Sequence, residues 1–288
     1  MYTMRPAEFE YHRPGSLDEA LGLLGEESRP LAGGHSLLPL MKMRLSTPEA
    51  LVDLADVPGL DGISEDGDGL RVGALATHAS VAASDLVRSR CPVLAETAAL
   101  IGDAQVRNRG TLGGSVAHAD PAADYPTILT ALGATLSVTG ANGEREIAAD
   151  DFFVGMFATA LRPGELVVAA KVPATPAGTG AAYVKHRHPA SFYAVVGVAA
   201  VVAVENGSCT TARLTIGGVT GTPVDATAAA EAVVGAPPSE ESAAAAADTV
   251  AAALPNAMSD TYASGEYRTH LAGVLAKRAL QLAFARAA

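Results

Sequence analysis

Apolar and polar positions recur with different periods along the chain, and these periods divide it into three parts. In the first part, residues 1–57, apolar residues recur at helical spacing after the capping-box pattern SLDE at 16–19. The pattern that follows predicts a strand at 29–32, a short helix at 37–45 and a strand at 51–54. This order predicts a small α/β unit.

The second part, residues 58–175, is predicted to be a larger mixed α/β unit. Runs of apolar and β-branched residues predict its strands, at 70–74, 134–139, 147–148 and 166–172. Helical spacing predicts three helices, at 77–84, 92–101 and 122–132. Asp120 stands before Pro121 at the start of the last of these helices, so it is the expected N-cap.

Prolines and glycines between residues 173 and 180 predict a domain boundary after residue 175. Beyond it, residues 176–288 predict a three-stranded antiparallel sheet, with strands at 181–187, 195–204 and 211–219. Three helices are then predicted, at 226–234, 240–253 and 266–286. The fold class expected from the whole pattern is α+β, with domains at 1–175 and 176–288.

Charge and composition narrow the possible partners. The formal net charge is −11, which disfavours binding to nucleic acid or to an anionic membrane. The longest apolar run, residues 194–204, is too short to span a bilayer, and no signal-peptide pattern begins the chain. These features predict a cytoplasmic protein. Two cysteines, Cys91 and Cys209, are too few for an iron–sulfur cluster, so any cluster in a redox chain must belong to another polypeptide.

Two glycine-rich segments carry the candidate chemistry. The first is Ala32-Gly33-Gly34-His35-Ser36, and the second is Thr111-Leu112-Gly113-Gly114-Ser115. Paired glycines let a ligand approach backbone N–H groups closely, and neighbouring hydroxyls add donors for phosphate oxygens. Each segment alone is also compatible with an ordinary turn. Together they favour a diphosphate held from two sides, although neither a Rossmann nor a P-loop motif is present.

The same segments carry a resemblance to a known family. AGGHSLLPLMKMRL (32–45) and QVRNRGTLGGSVAHADPAADYP (105–126) resemble the two FAD-binding signatures of molybdenum hydroxylase flavoprotein subunits. The similarity extends over nearly the whole chain and is strongest to the medium subunits of the aerobic carbon monoxide dehydrogenase type. It implies noncovalent FAD, with the molybdenum cofactor in a large subunit and 2Fe-2S clusters in a small subunit. It also implies a dimer of heterotrimers, located in the cytoplasm or at the inner face of the membrane through its partners.

The resemblance further assigns roles to single residues. The FAD contacts it implies are Ala32, Gly33, Gly34, His35, Ser36, Ile101, Thr111, Gly113, Gly114, Ser115, Asp124, Leu166 and Lys185. Asp124 is expected near the sugar and phosphates, Leu166 at the adenine, and Lys185 near the isoalloxazine, where its charge would favour the reduced flavin. Tyr193 is expected beside the isoalloxazine ring, where it would limit access by nicotinamide and favour quinone or another acceptor.

Several residues allow two interpretations. His35 lies in a glycine-glycine-histidine segment, which in other flavoenzymes can bond covalently to flavin, whereas the family resemblance favours noncovalent binding. Arg107 and Arg109 fit either a counter-charge to the diphosphate or a solvated surface pair. His118, Asp120 and Asp124 are better explained as caps and solvated groups than as metal ligands, so no metal site is predicted.

One favoured function is therefore compared with three alternatives. The favoured one is an electron-transfer flavoprotein subunit, because no nucleophile–base pair is evident and the cofactor would carry the chemistry. A xanthine dehydrogenase-like or other molybdenum hydroxylase is the nearest alternative. A stand-alone flavin enzyme should have a large substrate-binding cap, for which the segment after residue 175 is short. A noncatalytic nucleotide-binding module is the third possibility.

Overall fold

Three parallel strands form the first sheet of the protein, whose computed structural model describes residues 4–288. The strand order is β1-β3-β2, and two helices connect the strands. The elements are β1 (Glu10–His12), α1 (Leu17–Leu23), β2 (Ser28–Leu31), α2 (Leu37–Lys42) and β3 (Ala50–Asp53). The Ser16 hydroxyl caps α1 by accepting from the Glu19 N–H, as the sequence pattern predicted. The predicted small α/β unit is therefore present, with one additional short strand, β1.

A five-stranded antiparallel sheet forms the centre of the second part. Its order is β4-β5-β10-β6-β7, and a two-stranded hairpin lies beside it. The strands are β4 (Ile63–Asp66), β5 (Gly69–Gly73), β6 (Thr135–Gly140), β7 (Gly143–Ala148), β8 (Phe153–Gly155), β9 (Ala158–Thr159) and β10 (Leu166–Val172). The helices are α3 (His78–Ala83), α4 (Asp85–Arg90), α5 (Pro92–Ala99), α6 (Ala104–Arg107), α7 (Leu112–His118), α8 (Asp124–Ala131) and α9 (Ala149–Phe152). Tyr125 and Phe152 are fully buried in the core between this sheet and the helices.

An antiparallel sheet also forms the third part, in the order β11-β12-β13-β14. Its elements are β11 (Thr179–Arg187), β12 (Ala194–Glu205), β13 (Ser208–Gly217), β14 (Val224–Asp225), α10 (Thr227–Val233), α11 (Glu240–Ala247), a 3-10 turn at Val250–Ala253 and α12 (Gly265–Ala287). Helix α12 packs on β11 and β12, whereas α8 packs on β12 and β13. Val198 joins the core shared with α12, whereas its neighbour Ala199 joins the core of the second part. Because both faces of β12 are covered, its sequence is apolar without alternation.

The predicted fold class is confirmed, and several local predictions are wrong. The third sheet has a fourth strand of two residues, and the predicted helix at 240–253 is divided into α11 and a 3-10 turn. Helix α8 begins at Asp124 and its N-cap is Ala123. Asp120 instead accepts from the Ala122 N–H at 2.9 Å and stabilises the turn before the helix. No helix within residues 4–288 is long and apolar enough to cross a membrane.

Candidate functional site

A cleft of about 340 Å³ lies where the three parts of the protein meet. Its walls come from the segment after β2, the start of α7, the start of β10 and the loop before β12. All of the predicted cofactor residues except Lys185 line it, and so does Tyr193. The structure therefore brings together residues that are separated by up to 161 positions in the sequence, from Ala32 to Tyr193.

The first glycine segment offers free hydrogen-bond donors to the cleft. Within residues 4–288, the backbone N–H groups of Gly33, Gly34, His35 and Ser36 donate no hydrogen bond. The Gly34 carbonyl, in contrast, accepts a hydrogen bond from the first turn of helix α2, because the Leu38 N–H donates to Gly34 O at 3.1 Å. Consecutive unpaired N–H groups around a left-handed glycine, here Gly34 at φ +76°, form a concave site for an anion.

The second glycine segment is not a loop, contrary to the sequence prediction, but the first turn of helix α7. Thr111 is the N-cap, and its Oγ1 accepts from the Gly114 N–H at 3.1 Å. The Gly113 N–H donates to Ala74 O at 2.8 Å, and the Ser115 N–H donates to Thr111 O at 3.1 Å. These amides are already satisfied, so this segment contributes close approach and hydroxyl groups rather than free N–H donors.

The two glycine segments touch each other. A Cβ atom at Gly33 would overlap the carbonyl oxygen of Arg109, which lies two residues before Thr111. A Cβ atom at Gly114 would lie 3.5 Å from the Cβ of Ala32 and 2.8 Å from Thr111 Oγ1. Glycine is therefore required at position 33 by the close contact between the two segments.

Asp124 and Lys185 form a buried ion pair at the cleft wall. The Lys185 Nζ lies 2.9 Å from both carboxylate oxygens of Asp124, and the side chains are 3% and 4% exposed. The Tyr183 hydroxyl donates to Asp124 Oδ1 at 2.7 Å. Burial raises the pKa of Asp124, and the Lys185 charge and the hydrogen bonds from Lys185 and Tyr183 oppose this shift. Of the two residues, only Asp124 is part of the cleft wall.

Tyr193 reaches the cleft from the loop between β11 and β12. The loop is closed by the His188 N–H, which donates to Tyr193 O at 2.8 Å. Tyr193 keeps 39% of its surface exposed at the mouth of the cleft. Burial of part of the ring raises the pKa of its phenol, as does the charge of Asp120, while the nearby Ser36 side chain opposes the shift.

His78 lines the cleft and was not singled out from the sequence. It is 4% exposed, and its Nδ1 has no hydrogen-bond partner within the described chain. Burial, together with the neighbouring His35 and Arg107, lowers the pKa of His78 to about 4. The ring lies 5.4 Å from the ring of Tyr125. A histidine at the start of a predicted helix carries no signal of this burial, which arises from tertiary contacts.

The arginines beside the second segment do not line the cleft. The guanidinium of Arg107 donates to Ile101 O at 3.0 Å and to Gly102 O at 2.9 Å, and it thereby holds the turn that bears Ile101. This contact gives Arg107 a structural role that neither of the two interpretations included. Between Met4 and Ala288, no group of three or more His, Cys, Asp or Glu residues is placed to hold a metal ion.

These features fit a dinucleotide with a diphosphate. The unpaired N–H groups of residues 33–36 suit phosphate oxygens, and Asp124 is an acceptor for hydroxyl groups. The rest of the wall is mostly apolar, which suits flat aromatic rings.

Comparison with known proteins gives the same class. Residues 7–175 match the family model of the FAD binding domain in molybdopterin dehydrogenase, and residues 181–283 match the CO dehydrogenase flavoprotein C-terminal domain. The fold and site are therefore those of an FAD-binding subunit of an oxidoreductase.

Individual relatives define the family further. The chain is 42% identical to the carbon monoxide dehydrogenase medium chain of Afipia carboxidovorans, over 99% of both chains. The carbon monoxide dehydrogenase structure from Hydrogenophaga pseudoflava matches with a TM-score of 0.94 at 42% identity, covering 98% of this chain and 99% of that one. The quinoline 2-oxidoreductase structure from Pseudomonas putida 86 matches at 0.93 and 35% identity, with the same coverage. The chain belongs to the family of FAD-binding medium subunits of carbon monoxide dehydrogenases and related molybdenum hydroxylases.

Proposed function

We propose that this chain is the FAD-binding electron-transfer subunit of a molybdenum and iron–sulfur hydroxylase complex, specifically an aerobic carbon monoxide dehydrogenase. Its partners are a molybdenum-binding large subunit and a small subunit with 2Fe-2S clusters, arranged as a dimer of heterotrimers. The complex is cytoplasmic and reaches the inner face of the membrane through its partners. Bound FAD supplies one- and two-electron redox chemistry, which links single-electron clusters to quinone or another acceptor.

The observation that carries this proposal is the cleft, in which the unpaired N–H groups of residues 33–36 face residues from the other two parts of the chain. The first segment binds the diphosphate noncovalently, and His35 contributes a contact rather than a bond. Thr111 and Ser115 add hydroxyl groups, and Asp124 accepts from the sugar. Ile101 and Leu166 provide apolar contacts at the rings. The domain boundary lies near residue 175.

Tyr193 controls access to the cleft in this proposal. It keeps 39% of its surface exposed and lines the cleft together with Ser36. A ring held across this opening occupies the space in which a nicotinamide would have to lie, so quinone or a similar acceptor is favoured over NAD.

The nearest alternative is the flavoprotein subunit of a hydroxylase with another substrate. The match to quinoline 2-oxidoreductase favours this possibility, because nearly the same fold occurs in a protein named for a different reaction. In either case the substrate is bound by the molybdenum subunit, so residues of this chain do not select it.

Reconstitution tests the proposal. The chain expressed alone should bind FAD, yet carbon monoxide should not bleach its flavin absorbance. Assembled with both partner subunits, the flavin should be reduced by carbon monoxide and reoxidised by a quinone analogue. A matched complex without the molybdenum cofactor should show neither response. Flavin reduction by carbon monoxide in the isolated chain would contradict the proposal, and reduction of the assembled flavin only by a heterocycle would favour the alternative.

A further inference from the structure

The Lys185 ammonium is held by two acceptor groups of the protein, the Asp124 carboxylate and the Phe192 carbonyl. Its Nζ lies 2.9 Å from Oδ1 and from Oδ2 of Asp124, and it donates to the carbonyl oxygen of Phe192 at 2.9 Å. Two of its three N–H donors are therefore used in hydrogen bonds, to Asp124 Oδ2 and to the Phe192 carbonyl. The side chain is 3% exposed and does not line the cleft. Lys185 is therefore not arranged to contact a ligand directly.

Phe192 holds an unusual backbone conformation beside this ammonium. Its φ of +61° lies in the left-handed region, which a bulky residue rarely adopts. The Phe192 N–H donates to His188 O at 2.9 Å, and the guanidinium of Arg187 lies 4.7 Å from the centre of the Phe192 ring. A strained conformation persists only where the surrounding contacts hold it in place. Of the contacts at Phe192, the strongest is the hydrogen bond from the buried, charged Lys185 ammonium to the Phe192 carbonyl.

The strained residue directly precedes Tyr193. Because the peptide carbonyl of Phe192 is held by Lys185, the direction in which the chain leaves Phe192 is set as well. Tyr193 then lines the cleft together with Ser36 of the first glycine segment. A chain of contacts thus runs from Asp124 on α8, through Lys185 on β11, to Tyr193 in the loop.

We propose that Lys185 is a positioning residue that holds the left-handed turn at Phe192 and thereby places Tyr193 across the mouth of the cleft. The proposal deepens the proposed function, on which it rests for the identity of the cleft. It replaces the expectation that Lys185 acts on the flavin directly by its charge.

Backbone variants of Phe192 test the positioning step without disturbing the buried ion pair. Phe192→Val disfavours a positive φ, whereas Phe192→Gly permits it and keeps the carbonyl. In the FAD-loaded chain, amide exchange of residues 188–193, corrected for intrinsic rates, should rise about tenfold in the valine variant, as for the loss of one ordinary hydrogen bond. The glycine variant should retain protection. Equal exchange in both variants would overturn the proposed role of the turn.

A double-mutant cycle in the assembled complex tests the role of Lys185. Lys185→Met should change the rate and the acceptor KM of flavin reoxidation, and have no further effect when Tyr193 is already alanine. Additive effects would show that Lys185 acts independently of Tyr193 and would overturn the proposal. If Lys185→Met does not assemble because Asp124 is left unpaired, the Phe192 pair decides. If Tyr193→Ala alone leaves reoxidation unchanged, access control by Tyr193 fails, while the positioning role is judged on the exchange rates.

Discussion

Gly33 and Gly34 are adjacent but are required for different reasons. Gly33 has an ordinary backbone conformation, and its lack of a side chain permits contact with the carbonyl of Arg109. Gly34 has a φ of +76°, which favours glycine irrespective of the space around it. Gly33 thus permits the contact between the two segments, and Gly34 permits the backbone turn that leaves four N–H groups unpaired.

Replacing Gly33 by alanine should weaken FAD binding about tenfold to a hundredfold, because the new Cβ forces the two glycine segments apart and one or two hydrogen bonds are lost. Fluorescence titration of the apoprotein with FAD measures the effect. Gly22→Ala is the matched control, since Gly22 is exposed on α1 with open space around it, and its affinity should be unchanged. Parent-like affinity in Gly33→Ala would refute this account of the contact.

His78 should make the stability of the protein depend on pH. Its pKa is about 4 in the folded protein, below the ordinary value of about 6.5, so the unfolded chain binds the proton more readily. The contribution of neutral His78 to the free energy of unfolding is therefore fully present above pH ~6.5. It is lost as the pH falls to 4, and the loss is roughly 3 kcal/mol in total. Other groups also titrate in this range, so the comparison must be made between variants.

Urea unfolding at pH 7.5 and at pH 4.5 provides that comparison. Relative to the parent, His78→Leu should lose less stability between these two conditions, because leucine carries no proton. The exposed His270 on α12 provides a control, and His270→Asn should follow the parent. An identical pH response in parent and His78→Leu would mean that His78 does not remain neutral in the folded state.

One buried side chain of helix α12, Arg268, donates hydrogen bonds to carbonyl groups of β12 and of the turn after β13. The Arg268 guanidinium donates to Val195 O at 2.5 Å and Gly218 O at 2.8 Å, and it also pairs with Asp260. Arg268 is only 6% exposed. Because Val195 lies two residues after Tyr193, this contact also holds the far end of the loop that borders the cleft.

Arg268→Met should lower the free energy of unfolding by about 2–4 kcal/mol, since two buried carbonyl groups lose their donor. Arg278→Met on the same helix replaces an exposed arginine and should change stability by no more than about 0.5 kcal/mol. Urea denaturation of both variants gives the two values. Similar losses in both would contradict the role assigned to Arg268.

Elements with a long, uniform pattern could be predicted from the sequence, and elements defined by tertiary contacts could not. Strand β10 was predicted with its observed ends, because all of its residues except Lys171 are apolar. Helix α7 was interpreted as a loop, since paired glycines are poor helix formers. Its glycines are retained because a Cβ at Gly113 would overlap Ala74, a contact that no local pattern encodes. The helices α4 and α6 are too short to give a clear period.

At the scale of the whole molecule, the segments that line the cleft were predictable, because each glycine motif is local in sequence. Their mutual arrangement was not. Lys185 meets Asp124 across 61 positions, and neither sequence segment indicates that the pair is buried. The burial of His78 and the use of Arg107 to hold the turn at Ile101 were hidden for the same reason. The glycine motifs could therefore be predicted from the sequence, whereas the pairing of buried charges and the burial of His78 could be seen only in the structure.

Because the cleft lies at the junction of the three parts, the supply of the vitamin-derived cofactor should affect the stability of the protein. A ligand that binds only the assembled junction stabilises the folded chain in proportion to the logarithm of its free concentration. The small first unit gains most, because its core is limited and partly formed by Leu166 and Val168 from β10. Shortage of riboflavin in the cell would therefore reduce the amount of folded subunit as well as its redox capacity. The cellular level of the subunit would then follow the supply of the vitamin.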